Sequence, residues 1–372
     1  MSENRLKALS ALGQSVWYDY IRRDLVEGGG LARLIAEDGL SGMTSNPTIF
    51  EKAIAGSELY DADIRGAGPG QAAPQVYEAL AIRDVRAAAD VFRGVFDARG
   101  GDDGFVSIEV GPGLARDTDG TIAEARRLWR ECGRPNVMVK IPGTAEGVPA
   151  IRQCLAEGIH INVTLLFSVP RYREVMEAYQ AALEERVKAG KPVDALRSVA
   201  SFFVSRVDTN VDKKLDALTQ KGDARARALR SKIAVANARV AYEAFEETFA
   251  APRWKALEAR GARRQRPLWA STSTKDPSLP DLYYVEALVA PDSVDTMPPE
   301  TFEAYRDHGD PKVRIRDGRD EAAADFHALR DLGLSIDQVA VELENEGVKK
   351  FSDSFDSLMK AIGEKRRAMR VA

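Results

Sequence analysis

Eight short apolar runs, alternating with longer helical stretches, constrain the fold of this chain more than any other feature of its sequence. The runs are rich in β-branched and aromatic residues and lie at 16–20, 40–44, 105–110, 136–141, 160–166, 199–204, 267–271 and 284–289. Strands that alternate with helices form parallel sheets covered by helices, and eight strands are the number that closes a (β/α)8 TIM barrel. We therefore predict such a barrel. An open doubly wound sheet is the alternative, which the lack of a G-x-G-x-x-G motif after the first run disfavours.

Helix signals occupy the stretches between the runs. Thr121 and Glu124 form a T-x-x-E capping box that opens a helix. Ser168 followed by Pro170 opens another, which runs to about residue 188. Apolar residues at helical spacing predict one long helix over 224–250.

Three more helices are predicted after the eighth run. The first spans 321–330, the second begins at Ser335 with Gln338 in its first turn, and the third has one apolar face. That face consists of Val348, Phe351, Phe355, Leu358 and Ile362. We find no long linker, and so expect one domain over 1–372, with 317–372 as a C-terminal helical appendage packed on the barrel.

Composition excludes several classes of function. A net charge of −4 gives no general attraction to nucleic acid or to an anionic membrane. The two cysteines and three histidines show no metal-site spacing, so no metal site is predicted. The N-terminal segment lacks the apolar core of a secretory signal, and no apolar run approaches the roughly 18 residues of a membrane span. We expect a cytoplasmic protein with neither nucleic acid nor membrane as a partner; its oligomeric state stays open.

Lys140 is the first candidate for chemistry because it lies within the apolar run NVMVKIPGT. Period-two alternation places Met138 and Lys140 on the face that would point into a barrel lumen. A lysine buried there loses hydration, which favours its neutral amine, and a neutral amine is the form that adds to a ketone. A lysine snorkelling at a strand end, or one held in a buried salt bridge, is the non-catalytic alternative.

Polar residues recur at the predicted C-terminal ends of nearly all the other strands. They are Asp19, Asn46, Glu109, Asn162, Thr164, Ser201 and Ser271. TIM-barrel active sites are built at this end from several strands, and two carboxylates with a lysine supply the parts for proton-coupled carbonyl chemistry. A buried Glu109 requires a partner, which we expect to be Lys140 on the adjacent strand. Each residue alone also fits a cap or a turn, and Asn46 before Pro47 is typical of a turn.

His160 lies deeper on the face that carries Asn162 and Thr164. We interpret it as a core histidine with satisfied hydrogen bonds and not as a catalytic group.

Seven segments, collinear over about residues 10–305, carry a resemblance to a known family. They are VWYDYIRRDL, GMTSNPTIFEKAI, VSIEVGPGLARDT, NVMVKIPGT, INVTLLFS, SFFVSRVDTNVD and PDSVDTMP. Together they make the chain resemble the transaldolases, in particular the longer bacterial subgroup. The resemblance implies an enzyme that moves a dihydroxyacetone unit between phosphosugars in the non-oxidative pentose phosphate pathway.

The resemblance also implies catalytic roles. Lys140 would form a Schiff base with the ketose. Asp19 would take and return the proton as the carbon–carbon bond breaks and forms. Glu109 and Thr164 would hold the water that relays protons. No metal or organic cofactor is implied, because the protonated imine is itself the electron sink.

For substrate binding, the resemblance assigns the donor's hydroxyls to Asn46 and Asn162. It assigns the phosphate to Ser201 and Arg206, and a forked guanidinium suits that anion. Phe203 is a further candidate substrate-binding residue.

The sequence departs from the family at one point. Many relatives carry a second phosphate-binding arginine after the seventh strand, in a segment like A-S-F-R. Here the stretch is ASTSTKDP. We expect Lys275 to substitute as a point charge, with Ser271 as a further candidate.

Two other functions compete with transaldolase activity. Fructose-6-phosphate aldolases resemble this chain in the lysine strand, but they are shorter and typically carry Gln where Glu109 stands and Tyr where Phe203 stands, so the sequence favours transfer. A non-catalytic sugar-phosphate-binding barrel would not need Lys140, Asp19 and Glu109 all intact.

Overall fold

The computed structural model describes residues 4–68 and 70–371. The first residues of the N-terminal segment and the outer limits of the predicted domain (1–3 and 372) lie outside the described residues, as does residue 69. Eight parallel strands pair in chain order, and the last pairs with the first, so the barrel is closed. The strands are β1 (Gln14–Asp19), β2 (Gly42–Thr44), β3 (Phe105–Glu109), β4 (Val137–Pro142), β5 (Ile161–Leu166), β6 (Ser198–Phe203), β7 (Arg266–Ala270) and β8 (Ser293–Met297). The predicted (β/α)8 TIM barrel is confirmed.

Helices surround the barrel. They are α1 (Arg5–Ala11), α2 (Arg23–Glu27), α3 (Gly30–Asp38), α4 (Pro47–Ala55), α5 (Asp61–Gly66), α6 (Ala73–Ala98), α7 (Thr118–Cys132), α8 (Gly147–Glu157), α9 (Val169–Lys188), α10 (Ser205–Gln220), α11 (Ala224–Arg227), α12 (Ile233–Ala250), α13 (Pro252–Glu258), α14 (Tyr283–Ala287), α15 (Pro299–His308), α16 (Arg319–Asp331) and α17 (Ile336–Val371). A short 3-10 helix covers Pro112–Leu114. Within the described residues, none of these helices has both the length and the apolar run needed to cross a membrane.

The position predicted for the eighth strand is wrong. Residues 284–289 begin in the short helix α14, and β8 follows at Ser293–Met297. The apolar residues of α14 are explained by packing: Val285 is fully buried, and the Tyr284 hydroxyl donates to Asp208 Oδ2 at 2.9 Å. The true strand, SVDTM, carries Asp and Thr, which hid it from a search for apolar runs.

Two predicted helices begin or break elsewhere. Helix α7 starts at Thr118, with Asp117 as its cap, whereas the Thr121 hydroxyl bonds to the carbonyl of Leu114. The single helix predicted over 224–250 is interrupted before α12. Ser231 has a φ of +60°, and its backbone N–H donates to Asp212 at 2.9 Å, so the chain leaves the helical path there. The helix opened by Ser168 is confirmed as α9.

The C-terminal helices differ from the prediction in number. The helix predicted over 321–330 is confirmed as α16, but the two predicted after it form one helix of 36 residues, α17. Ser335 accepts from the N–H of Gln338 at 3.5 Å, as predicted. The helix then continues through Gly347 without a break and packs against α4, α5, α6 and α10. It therefore lies over the C-terminal end of the barrel.

At the N-terminal end of the barrel, Trp17 packs beside a buried polar cluster centred on Asp103. Trp17 lies against Gly42, where a Cβ would sit 2.4 Å from the indole. The indole N–H donates to Asp103 Oδ1 at 2.7 Å, and Ser15 and Arg266 also contact the Asp103 carboxylate. These polar side chains at the N-terminal end of the barrel thus satisfy one another's hydrogen-bonding groups.

His160 belongs to the core, as interpreted from the sequence. Its Nδ1 accepts from the N–H of Arg197 at 3.1 Å, and its ring packs edge-on against Phe105 and Trp129. Burial, with the nearby charge of Arg197, lowers the pKa of His160 to about 3, so the ring is neutral.

Candidate active site

The C-terminal ends of the strands surround a cavity of about 350 Å³. Eight of the predicted site residues line it: Asp19, Asn46, Lys140, Ser201, Phe203, Arg206, Ser271 and Lys275. The other three, Glu109, Asn162 and Thr164, have side chains buried beside or below the lining. The strand-end residues picked from the sequence therefore lie around one site.

A larger cavity, of about 500 Å³, lies at the opposite end of the barrel. Arg197 and Arg266 line it, and the carboxylates of Asp102 and Asp103 pair with them. No lysine of the described residues lines this cavity. Because TIM-barrel active sites form at the C-terminal end, we place the active site in the smaller cavity.

Lys140 projects from β4 into the floor of the smaller cavity, with a side chain only 5% exposed. Its Nζ donates to the backbone carbonyl of Ser45 at 3.2 Å and lies 3.5 Å from Glu109 Oε2. The pairing of Lys140 with Glu109 expected from the sequence is present. The Phe351 ring lies 5.9 Å from Nζ and helps to shield the amine from water.

Asp19 enters the cavity from β1, three strands away from Lys140. The Thr44 hydroxyl donates to Asp19 Oδ1 at 2.7 Å, and Thr44 and Thr296 lie 2.7 Å apart through their hydroxyl oxygens. Burial raises the pKa of the Asp19 carboxyl, and of Glu109 likewise, while the positive charge of Lys140 opposes both shifts. Raised pKa values suit carboxyls that exchange protons near neutral pH.

A chain of hydrogen bonds joins β6, β5 and β3 across the lumen. The Ser201 hydroxyl donates to Asn162 Oδ1 at 2.7 Å, and Asn162 Nδ2 donates to the Ser107 hydroxyl at 3.0 Å. Asn162 is thus fixed in orientation. Ser201 lines the cavity, but its proton is directed to Asn162 and not to the cavity.

Thr164 follows two residues later on β5, fully buried. Its hydroxyl has no hydrogen-bond partner among the described residues. The next residue, Leu165, has a φ of +58° at a bulge in the pairing of β5 with β6. Strained backbone of this kind is concentrated at functional sites, and an unsatisfied buried hydroxyl can accept a bound water.

Asn46 has two functions in the structure. Its Oδ1 accepts from the N–H of Ile49 at 3.0 Å and so caps α4, as the turn-like sequence Asn46–Pro47 suggests. Its side chain also lines the cavity, and its amide NH2 makes no hydrogen bond within the described part of the chain. The NH2 group is therefore a donor available to a ligand.

The outer part of the cavity is cationic. Arg206 of α10 stacks its guanidinium 4.9 Å from the centre of the Phe203 ring. No hydrogen bond or ion pair joins that guanidinium to the residues that the structure describes. Lys275 lines the same cavity, with its Nζ donating to Ser273 at 2.7 Å, and Ser271 has a φ of +57°. An arginine held by an aromatic ring and free at its fork is suited to an oxyanion.

Several lining residues were not predicted. Thr44 and Thr296 are strand-end residues that the same rule would have found. Lys52, Lys350 and Phe351 lie on α4 and α17, away from any strand. Phe351 was assigned only to the apolar face of a helix packed on the barrel, with no place at the active site.

Comparison with known proteins agrees with this geometry. The family model described as Transaldolase/Fructose-6-phosphate aldolase matches residues 16–362. A transaldolase of Frankia alni is 52% identical over 367 residues, covering 97% of both chains. One from Acidothermus cellulolyticus is 53% identical, covering 96% of this chain and 95% of its own, and one from Thermobifida fusca is 50% identical, covering 98% of both. With a family model and relatives that span nearly its whole length, the chain belongs to the transaldolase/fructose-6-phosphate aldolase family, as its seven segments predict.

Proposed function

We propose that this protein is a transaldolase that works through a Schiff base on Lys140. It transfers dihydroxyacetone from a ketose phosphate, such as sedoheptulose 7-phosphate or fructose 6-phosphate, to an aldose phosphate, such as glyceraldehyde 3-phosphate or erythrose 4-phosphate. The observation that carries the proposal is a desolvated lysine, 3.5 Å from Glu109, at the floor of a cavity whose outer part holds Arg206 and Lys275. It works without nucleic acid or membrane partners, in the cytoplasm and in the non-oxidative pentose phosphate pathway.

The first step forms the imine. Neutral Lys140 adds to the ketone carbon of the donor, and the resulting carbinolamine loses its hydroxyl as water. Protonated Glu109 is placed to give its proton, through a water held with Thr164, to the ketone oxygen as the amine adds. It can then take one of the two amine protons and pass it to the departing hydroxyl. The nitrogen keeps its other proton, so the imine forms protonated and Glu109 is left ionised. Because burial raises the pKa of Glu109, the carboxyl can hold a proton between these transfers.

The second step breaks the C3–C4 bond. Asp19 removes the proton of the C4 hydroxyl, the C4 oxygen becomes the carbonyl of the leaving aldose, and the C3–C4 electron pair passes into the protonated imine as an enamine. The hydrogen bond from Thr44 holds Asp19 Oδ1, which leaves Oδ2 to act as the base. Asn46 and Asn162 bind the hydroxyls of the three-carbon unit that stays on Lys140.

The cycle closes with an acceptor aldehyde. The enamine carbon attacks the aldehyde carbon, Asp19 returns its proton to the new alkoxide, and water hydrolyses the imine to release the product ketose and free Lys140. Arg206 and Lys275 bind the phosphate of each sugar in turn. A fructose-6-phosphate aldolase would instead protonate the enamine and release dihydroxyacetone, and Glu109 and Phe203 favour transfer because relatives with that activity typically carry Gln and Tyr there.

Product analysis tests the proposal. Mixing the protein with fructose 6-phosphate and erythrose 4-phosphate should yield sedoheptulose 7-phosphate and glyceraldehyde 3-phosphate. Fructose 6-phosphate with borohydride should fix a three-carbon adduct on Lys140, and Lys140→Ala should lose both adduct and turnover. Free dihydroxyacetone as the main product would indicate an aldolase, absence of turnover would favour the non-catalytic barrel, and an adduct mapped to Lys52 or Lys275 would refute the assigned nucleophile.

A further inference from the structure

Helix α17 contacts the active site through one face. Lys350 and Phe351 follow Gly347 by three and four residues, so all three lie on the same side of the helix. A Cβ at Gly347 would lie 2.8 Å from Leu165 Cδ2 and 3.7 Å from Arg206 Nη1. The missing side chain lets the helix approach the barrel mouth beside Arg206.

The two residues that follow on this face enter the cavity. Phe351 is buried, with its ring 5.9 Å from Lys140 Nζ, and Lys350 lines the same cavity toward solvent. Lys52 of α4 lines it as well, and the hydroxyls of Thr48 and Ser354, 2.8 Å apart, join α4 to α17. Two helices thus each bring one lysine to the cavity mouth.

These lysines make no ion pair with any residue that the structure describes, although Glu300 lines the same cavity and its charge acts on Lys275. Within the described residues, no carboxylate oxygen lies within 4 Å of the Nζ of Lys52, Lys275 or Lys350, whereas the neighbouring Lys349 pairs with Asp353. Burial lowers the pKa of Lys350, and the positive charges of Arg206, Lys275 and Lys52 lower it further. An anion bound at this opening would offset the repulsion among these four cations.

We infer that Lys350 and Lys52 bind the phosphate of the sugar substrate together with Arg206 and Lys275, which makes the C-terminal helix a part of the substrate site. This inference rests on the proposed function, since it names further residues of the same site. A phosphate monoester carries nearly two negative charges at neutral pH. Arg206, fixed on Phe203, supplies a rigid fork, and the lysines supply mobile point charges that also attract the anion from solution.

The test compares Lys350→Gln with Lys349→Gln, its exposed neighbour on the same helix. For Lys350→Gln, KM for erythrose 4-phosphate should rise about 3- to 10-fold, as for a partly solvated charge-assisted contact. KM for unphosphorylated glyceraldehyde and kcat should stay near wild-type values. Lys52→Gln should behave alike, and Arg206→Ala should show a larger rise of roughly 10- to 150-fold. Lys349→Gln should change neither KM.

Equilibrium binding separates this inference from the proposed function. Calorimetry with glycerol 3-phosphate should give a Kd about 3- to 10-fold weaker for Lys350→Gln than for Lys349→Gln, and glycerol should bind none of the variants measurably. That result supports the phosphate contact even if the wild-type protein lacks transaldolase turnover. Equal Kd values for the two variants, or no binding to the wild-type protein, overturn the inference even if turnover is normal.

Discussion

Glu109 and Asp19 contact different groups, and this difference indicates the catalytic role that we propose for each. Glu109 lies 3.5 Å from the Lys140 amine, the atom that gains and loses protons as the imine forms and is hydrolysed. Asp19 lies on a strand three positions away, held by Thr44 and facing the cavity where the substrate's hydroxyls would lie. Proximity therefore links Glu109 to nitrogen chemistry and Asp19 to carbon–carbon chemistry.

Substitution of each carboxyl by its amide should separate the two steps. Asp19→Asn should still accumulate the donor Schiff base but cleave it slowly, because no base removes the C4 hydroxyl proton. Glu109→Gln should form the Schiff base slowly. Each defect should be on the order of 10²- to 10⁴-fold, the usual contribution of general acid–base catalysis. Single-turnover mixing with fructose 6-phosphate, quenched by borohydride, measures both rates.

Lys349→Gln provides the reference, since Lys349 is exposed, pairs with Asp353 and lies outside the cavity lining. A preformed adduct that Asp19→Asn cleaves at the wild-type rate, while Glu109→Gln does not, would reverse the two assignments.

The residues predicted from sequence at this site share one property. All those proposed to be catalytic lie at or near the ends of strands, where a barrel brings different parts of the chain together. Lys350 and Lys52 were missed because helices deliver them, and where a helix lies depends on packing between elements distant in sequence. The local sequence pattern does not determine that packing.

Among the secondary-structure elements, α17 is the one whose contact with the active site was not predicted from the sequence. Its apolar face was predicted, but the helix was divided in two. Its interior carries Gly347, and a glycine normally weakens a helix by about 1 kcal/mol. The structure keeps the helix intact and uses that glycine for close contact with Leu165 and Arg206. The error at 284–289 has a related cause, because a short buried helix and a strand have similar apolar composition.

The two interior glycines of α17 should respond oppositely to alanine. Gly363 has only the end of the Arg367 side chain near its missing Cβ, at 4.0 Å. Gly363→Ala should therefore raise the free energy of unfolding by up to about 1 kcal/mol and leave turnover unchanged. Gly347→Ala places a methyl group against Leu165, so it should displace the helix, raise KM for phosphorylated acceptors and give no gain in stability. Urea unfolding and steady-state kinetics measure the two effects.

If Gly347→Ala proved as stabilising as Gly363→Ala with unchanged KM, the helix would be loosely placed over the cavity. That outcome would also remove the support that Gly347 gives to the proximity of Lys350 and Arg206.

For the whole molecule, the closed barrel separates two ends with different chemistry. At the N-terminal end, Asp103 is satisfied by Trp17, Ser15 and Arg266. At the C-terminal end, Arg206 has no partner within the described residues, and the adjacent lysines have no carboxylate partner. The strand count and chain order predicted this division, because parallel strands have all their C-terminal ends on one side. The partners of each buried charge were not predictable from the pattern.

Asp295 is a buried carboxyl that should make the free energy of unfolding fall as pH rises. Thr296 faces the lumen, so Asp295 lies on the outer face of β8 beside Trp269, fully buried. The Thr272 hydroxyl donates to Oδ1 at 3.0 Å, while Oδ2 has no partner among the described residues. Burial raises the pKa of Asp295 to about 8, and the hydrogen bond from Thr272 offsets this only in part.

The sign of the pH effect follows from which state holds the proton. Folded Asp295 stays protonated up to about pH 8, whereas the unfolded chain releases this proton near pH 3.9. Between these values unfolding releases a proton, so the free energy of unfolding falls as pH rises, by about 1.4 kcal/mol per pH unit.

Asp295→Asn is neutral in both states, so its unfolding free energy should fall by about 2 to 3 kcal/mol less than that of the wild type between pH 5 and pH 7. Urea unfolding at pH 5, 6 and 7 measures the difference, with Asp292→Asn, an exposed carboxyl near the start of β8, as the control that should keep the wild-type slope. Parallel slopes for wild type and Asp295→Asn would mean that the folded protein holds Asp295 ionised, and a hydrogen-bond donor to Oδ2 would then have to exist.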